Sequence, residues 1–203
     1  MSNAKHAFIF VFLLFALTFS NQISFAELSE KVIAMADDYR VNQEQENKKE
    51  RQRINHITEE DRVAKAVAKL YKTAKYKDTK KVVKLVYKHA RKQKIKPMLV
   101  IGLIASESGF RRTAVSSHGA MGYTQVLPKY HQDKIAGRDV FDPKVNIEVG
   151  IKILSDCIKK RKNIERALGC YNGATTVEKR QKYVNQVRRN QRLIAKLASQ
   201  YTV

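Results

Sequence analysis

Acidic residues are scarce in this chain, which has 19 of them against 40 lysines and arginines and therefore a formal net charge of +21. It also has no histidine–cysteine cluster with metal-ligand spacing and no glycine-rich phosphate-binding loop. These absences argue against a metal centre or a nucleotide site, and we expect no cofactor. The positive charge favours a polyanionic partner, which is either nucleic acid or an anionic cell envelope.

Long apolar runs are absent as well. The longest begins at Ala7 and is about a dozen residues, whereas a membrane-spanning helix needs roughly 20. A run of this length, followed by the small-residue sequence Ser24-Phe25-Ala26, is typical of an export signal that is cut after Ala26. We therefore predict a signal peptide over residues 1–26, with an uncleaved N-terminal anchor as the alternative.

The predicted export signal favours an anionic cell envelope over nucleic acid as the partner. No cysteine lies just past the apolar run, which argues against a lipid-anchored precursor. We expect a protein that is exported and is periplasmic or associated with the cell envelope. In that location the anionic envelope is the favoured partner and nucleic acid is not.

Alternating strand patterns and internal repeats are also missing, whereas helical spacing is found along most of the chain. Residues 41–53 are densely charged and have no apolar stripe, so we interpret residues 27–60 as a charged N-terminal extension or linker. From residue 61 onwards, apolar residues recur every three or four positions, as in amphipathic helices. We predict an all-α domain over residues 61–203.

One short apolar segment ends in a carboxylate. Residues 97–108 begin with Pro97, are uncharged up to Glu107 and precede Gly109, which predicts a short buried helix with Glu107 in its last turn. The negative end of the helix dipole and the apolar neighbours both raise the pKa of a carboxyl group there. A raised pKa suits a general acid. The alternative is a glutamate at the edge of a core helix that points to water.

Further sequence blocks follow this segment in a fixed order. They are GAMGYTQVLP from residue 119, FDP with NIEVG over residues 141–150, ALGCYNG over residues 167–173, and KYV over residues 182–184. In order and spacing they resemble the soluble lytic transglycosylase (SLT) family, whose domain is similar to goose-type lysozyme. The resemblance covers roughly residues 82–197 and implies a lysozyme-like helical fold with a substrate groove.

The resemblance implies an activity. Members of this family cut the glycan strands of peptidoglycan between N-acetylmuramic acid and N-acetylglucosamine, and form a 1,6-anhydro ring. Glu107 matches the single catalytic glutamate, which protonates the bridging oxygen and then, as a base, takes a proton from the 6-hydroxyl of the sugar. Most glycosidases use two carboxylates. Here the other candidates are Asp133, Asp139 and Glu148, and we expect none of them to be catalytic.

The resemblance also implies a set of substrate-binding residues, namely Ser108, Met121, Gln125, Tyr171, Asn172 and Tyr183. For Tyr171 and Tyr183 the alternative is a core aromatic, and for Ser108 it is a residue that only caps the end of the helix. The usual family block Gly-Leu-Met-Gln is Gly-Tyr-Thr-Gln here. We expect Tyr123 to fill the core position of the leucine and Thr124 to change the sugar contacts that the methionine makes.

Four other residues have no motif to define their role. Cys157 and Cys170 are 13 residues apart on two predicted neighbouring helices. In an oxidising compartment they would form a disulfide, and otherwise they would remain two small buried thiols. His118 and His131 are isolated, and we expect both to be loop or surface residues.

Three functions remain open. The leading hypothesis is an exported lytic transglycosylase, either a housekeeping enzyme or one that opens the wall for a secretion, conjugation or phage apparatus. The second is a muramidase that hydrolyses the same bond. The third is a basic, non-enzymatic protein that binds the cell wall or nucleic acid on the same scaffold.

Overall fold

Helices account for the regular structure of this chain. The structure, a computed structural model, describes residues 24–55 and 58–201. Within these residues there is no strand, and the helices are α1 (Phe25–Asn55), α2 (Glu59–Leu70), α3 (Tyr76–Lys92), α4 (Pro97–Glu107), a 3-10 turn (Pro128–Tyr130), α5 (Gln132–Ile135), α6 (Pro143–Arg161), α7 (Ile164–Asn172) and α8 (Val177–Ser199). The predicted all-α class is confirmed.

The chain divides into two compact units, Met1–Ile54 and Asn55–Val203. Helix α1 belongs to the first unit, and large apolar side chains on it, such as Ile33 and Tyr39, are exposed. The predicted signal peptide lies outside the described residues except for its last three positions. Among the helices of the described residues, none is long and apolar enough to cross a membrane.

The core of the second unit is organised around α4. Its sequence, PMLVIGLIASE, is apolar on every face, and a helix of this kind must be surrounded by protein. Every residue from Leu99 to Ala105 is buried. Helices α3 and α8 pack against α4, so that the carboxylate in its last turn emerges at the edge of the core.

The amphipathic helices turn their predicted stripes towards this core. The stripe of α6 includes Ile147, Ile151 and Leu154, none of which is more than 1% exposed. The apolar stripe of α3 is also buried and consists of Val82, Val83, Val86, Tyr87 and Ala90. Side-chain caps begin two helices, with Asp142 at α6 and Asn163 at α7.

A disulfide joins α6 to α7. It links Cys157 to Cys170 across a sequence separation of 13 residues. The bond fixes the C-terminal half of α6 against the helix that carries Tyr171 and Asn172. It therefore restrains one wall of the region around the end of α4.

Candidate active site

A groove of about 610 Å³ opens beside the C-terminal end of α4. Three parts of the chain line it: the end of α4, the segment from residue 116 to the 3-10 turn, and the end of α7. The lining residues are Glu107, Ser116, His118, Ala120, Gln125, Leu127, Lys129, Tyr130, Tyr171, Asn172 and Gly173. Glu107 is the only acidic residue among them.

A close approach of α4 to α8 positions Glu107. A side chain at Gly102 would place its Cβ 2.7 Å from the carbonyl oxygen of Val187, so glycine is required where the two helices meet. Nearer the end of α4, the amide of Asn190 donates a hydrogen bond of 3.0 Å to the hydroxyl of Ser106. This packing brings the hydroxyl of Tyr183 to Glu107, where it donates a hydrogen bond to Oε1.

The carboxyl group of Glu107 has a strongly raised pKa. Burial is the main cause and raises the pKa from 4.5 to about 7, while the hydrogen bond from Tyr183 acts in the opposite direction because it stabilises the carboxylate. Both protonation states are therefore accessible near neutral pH. Oε2 accepts no hydrogen bond from the described part of the chain, so it is the oxygen that can serve a ligand in the groove.

Two tyrosines beside Glu107 remain protonated. Burial and the neighbouring Glu107 carboxylate both raise the pKa of Tyr183 and of Tyr171 above the ordinary value. Each hydroxyl is consequently a hydrogen-bond donor at neutral pH. Tyr183 donates to Glu107, and Tyr171 donates to the carbonyl oxygen of Thr124 at 2.6 Å.

Asn146 on α6 holds the segment that carries Gln125. Its Oδ1 accepts a hydrogen bond of 2.8 Å from the backbone N–H of Thr124, and its Nδ2 donates to the carbonyl oxygens of Met121 and Val140, both at 2.9 Å. Asn146 is fully buried, so each of these bonds replaces one with water. The result is a rigid attachment of the groove wall to α6.

A glycine on each side of this attachment allows the close contact. Gly122 has a φ of +78°, and a Cβ there would lie 2.3 Å from Nδ2 of Asn146. A Cβ at Gly150 on α6 would lie 2.3 Å from Oγ1 of Thr124. No larger residue fits at either position without separating the segment from α6.

Gln125 enters the groove from a left-handed backbone conformation with a φ of 50°. Its side-chain Nε2 donates hydrogen bonds to the carbonyl oxygens of Gly122 and Ala114, at 3.0 and 3.2 Å. Both amide hydrogens are then used, which fixes the orientation of the side chain. The carbonyl oxygen Oε1 remains as the acceptor for a ligand.

The structure brings several of the predicted site residues together. Glu107, Gln125, Tyr171 and Asn172 line the groove, and Tyr183 lies directly against Glu107. Tyr123 is 6% exposed and packs in the core, where the sequence comparison expected it. These residues come from three separate helices and one irregular segment.

Three other residues of the motif do not line the groove. Ser108 is buried, and its hydroxyl donates to the carbonyl oxygen of Tyr123 at 2.8 Å, so its position is structural rather than substrate-binding. Met121 is half-buried and forms isolated backbone bridges with its neighbours. Thr124 is 0% exposed, and its hydroxyl bonds to Asn146. Its side chain does not reach the groove surface, so the expectation that the sugar contacts differ from those of the usual methionine stays a prediction.

Sequence reasoning did not identify His118, Lys129 or Tyr130 as groove residues. All three are exposed. Tyr130 is 66% exposed, and Nζ of Lys129 lies 5.7 Å from the centroid of its ring. Only their place in the sequence could have identified them. His118 comes directly before the block GAMGYTQVLP, and Lys129 and Tyr130 come directly after it. Nothing in their residue types distinguished them from ordinary surface residues.

No second carboxylate faces the groove within the described residues. Asp133 is exposed and pairs with Lys134, whereas Glu148 binds Lys152 at 2.8 Å and Arg138 at 3.2 Å. These partners hold the pKa of the Glu148 carboxyl below its usual range. In the same part of the chain, no group of three or more His, Cys, Asp and Glu side chains could hold a metal ion.

Comparison with known proteins gives two findings. The transglycosylase SLT domain matches residues 84–193 of this chain, which is more than half of its length. Among solved structures, the chain is similar to an inactive mutant of the lytic transglycosylase Slt from Pseudomonas aeruginosa, with a TM-score of 0.47 and 20% identity. That match covers 55% of this chain and 23% of the Slt chain.

Proposed function

Because this chain belongs to the transglycosylase SLT domain family, we propose that it is a peptidoglycan lytic transglycosylase. It cleaves the β-1,4 bond between N-acetylmuramic acid and N-acetylglucosamine and leaves a 1,6-anhydro end on the muramic acid. Glu107 is the catalytic residue and acts first as an acid and then as a base.

The observation that carries this proposal is the solitary carboxyl group in the groove. Most glycosidases that hydrolyse their substrate use two carboxyl groups, about 5–9.5 Å apart, of which one activates water or attacks the sugar. Here one carboxyl group with a pKa of about 7 lines the groove, and no second one lies beside it among the described residues. This arrangement favours a nucleophile from the substrate itself, and the 6-hydroxyl of the muramic acid is a suitable group.

The geometry supports a two-step proton transfer. Protonated Glu107 donates its proton to the bridging oxygen as the bond from that oxygen to C1 breaks. The resulting carboxylate then takes the proton from the 6-hydroxyl while that oxygen bonds to C1, so the enzyme regains its proton and no water is consumed. The hydrogen bond from Tyr183 stabilises the carboxylate between the two steps.

The remaining groove residues provide contacts for the glycan strand. Oε1 of Gln125 and the side chain of Asn172 offer polar groups for hydroxyl and acetamido groups. The exposed ring of Tyr130 offers an apolar face to a pyranose ring. Lys129 adds a positive charge next to this ring, where a carboxylate of the peptide stem would be favourably placed.

Digestion of purified sacculi tests the proposal. We expect the wild-type chain to release muropeptides with 1,6-anhydro ends by mass analysis, and the Glu107→Gln variant to bind sacculi but to lose activity by at least about a thousandfold. Glu178→Gln, an exposed glutamate at the start of α8, is the matched control and should retain full activity. Products with reducing ends would identify a muramidase, and release unaffected by Glu107→Gln would rule out the proposed mechanism.

We also propose that the protein is exported and acts at the cell envelope. The disulfide between Cys157 and Cys170 supports this location, because such bonds persist in oxidising compartments. N-terminal sequencing of the protein from the cell envelope should give a start at Glu27. An intact N-terminus at Met1 would instead indicate a retained anchor.

A further inference from the structure

The positive charge of this protein is unevenly distributed along the chain. Residues 58–203 contain 33 lysines and arginines and 12 acidic residues, whereas residues 1–57 contain seven of each. The whole net charge of +21 therefore resides in the part that carries the groove. The proposed catalytic mechanism uses one carboxyl group and does not require this excess of positive charge.

Several of these cations surround a separate cavity. It measures about 430 Å³ and lies where α3 packs against α6, and it shares no lining residue with the catalytic groove. Lys88 and Lys92 line it from α3, and Lys144 and Lys152 line it from α6. Ile151 is the only apolar residue in its lining, so the cavity is suited to a hydrated polar group rather than to an acyl chain.

The carboxylate in this cavity does not neutralise the cations. Both oxygens of Glu148 are occupied, one by Lys152 and the other by Arg138. Within the part of the chain that the structure describes, Lys88, Lys92 and Lys144 make no ion pair. Lys88 and Lys92 are four residues apart on one helix, where like charges repel each other. Three unpaired cations thus share a concave surface, and an anion would relieve their repulsion.

One lining residue of the same cavity, His89, has a buried polar atom. Nε2 of His89 is shielded from solvent and has no hydrogen-bond partner, and buried polar atoms of this kind are uncommon. Burial lowers the pKa of His89, and the nearby Lys88, Lys92 and Lys144 lower it further, against the opposite influence of Glu148. The imidazole is therefore neutral at pH 7 and has one N–H group to donate.

We propose that this cavity binds the phosphate group of a sugar-phosphate or glycerol-phosphate unit. A doubly charged phosphate group suits a cavity that has lysines on two walls, and lysine binds phosphate as a point charge. The cavity has room for the ester group that carries the phosphate. The site is independent of the catalytic groove, so it holds the protein on a phosphate-bearing molecule without taking part in bond cleavage.

Titration of the isotope-labelled full-length chain with inorganic phosphate and with glycerol 3-phosphate tests the proposal. At constant ionic strength, we expect saturable changes in the NMR amide signals of residues 88–93 and 144–152, and in the imidazole nitrogen signals of His89. Lys92→Gln and Lys144→Gln should each weaken binding at least about fivefold. Both side chains are exposed, so neither substitution threatens folding.

Lys160→Gln is the matched control, because Lys160 is also an exposed lysine of α6 but lies outside the cavity. Equal weakening by this variant, or changes that sodium chloride reproduces, would overturn the proposal. So would lysine-dependent binding to phosphatidylglycerol vesicles or to duplex DNA with which glycerol 3-phosphate does not compete. Cleavage of soluble glycan strands should be unchanged in both cavity variants, and a loss of cleavage there would show that the two sites are not independent.

Discussion

The hydroxyl of Tyr183 donates a hydrogen bond to Oε1 of Glu107, although 76 residues separate the two in sequence. The bond connects the last turn of α4 to the second turn of α8. It counteracts the burial that raises the pKa of Glu107, so that the pKa stays at about 7. A group with this pKa can both give and accept a proton at neutral pH, as the proposed mechanism requires.

Glu107→Gln should change how stability depends on pH. In the folded chain Glu107 holds its proton up to about pH 7, whereas in the unfolded chain it loses the proton near its ordinary pKa of 4.5. The free energy of unfolding of the wild type therefore falls as the pH rises through this window, by about 3 kcal/mol in all. The variant should match the wild type at pH 4 and exceed it by up to that amount at pH 8, as measured by chemical denaturation. A difference independent of pH would contradict a raised pKa.

Tyr183→Phe should move the alkaline limb of the pH–activity profile to higher pH. The substitution removes the hydrogen bond that stabilises the carboxylate, so the pKa of Glu107 rises further. We also expect the rate at the optimum to fall roughly tenfold, because a hydrogen bond to a charged group is lost. Tyr171→Phe is the control, since Tyr171 donates to Thr124 and not to Glu107. If the alkaline limb of the Tyr183→Phe profile does not move, Tyr183 does not lower the pKa of Glu107.

Asn146→Ala should destabilise the protein by about 2–4 kcal/mol. It leaves the backbone N–H of Thr124 and the carbonyl oxygens of Met121 and Val140 without their buried partner. Activity should fall as well, because the segment that carries Gln125 loses its attachment to α6. Thermal unfolding and sacculus digestion measure the two effects. Asn185→Ala, on the exposed face of α8, should change stability by less than about 0.5 kcal/mol.

Removal of the disulfide should cost about 3 kcal/mol, as expected for a closed loop of this length. The double variant Cys157→Ala, Cys170→Ala and the reduced wild type should show similar losses in denaturant unfolding. Addition of reductant to the double variant should have no effect. If reductant leaves the wild type unchanged as well, the bond contributes nothing to stability in solution.

Local signals in the sequence were sufficient to locate the helices. Pro97 at the start of α4 and Gly109 after its end, with a φ of +56°, mark that helix. Asp142 and Asn163 are residue types that favour helix starts, and they cap α6 and α7. These signals act between residues within one helical turn, so they depend little on how the rest of the chain packs.

Contacts between distant residues were not predictable in this way. The sequence left open whether Tyr183 is a core aromatic or a site residue, and the packing of α8 against α4 makes it a buried tyrosine that contacts the acid. Ser108 and Thr124 belong to the motif, yet both side chains bond to the protein itself. Tyr130 belongs to no motif and nevertheless lines the groove, because the 3-10 turn Pro128–Tyr130 lies near the end of α4.

Three features could be predicted from the amino-acid sequence alone: an all-α fold, a short apolar helix that ends in Glu107, and membership of the SLT domain family. The packing of distant helices settled the rest: which side chains face that carboxyl group, that no second carboxylate of the described residues lines the groove, and that three lysines share a cavity elsewhere. The reason is that helix formation follows from neighbours along the chain, whereas the environment of a charge depends on residues that folding brings from far away.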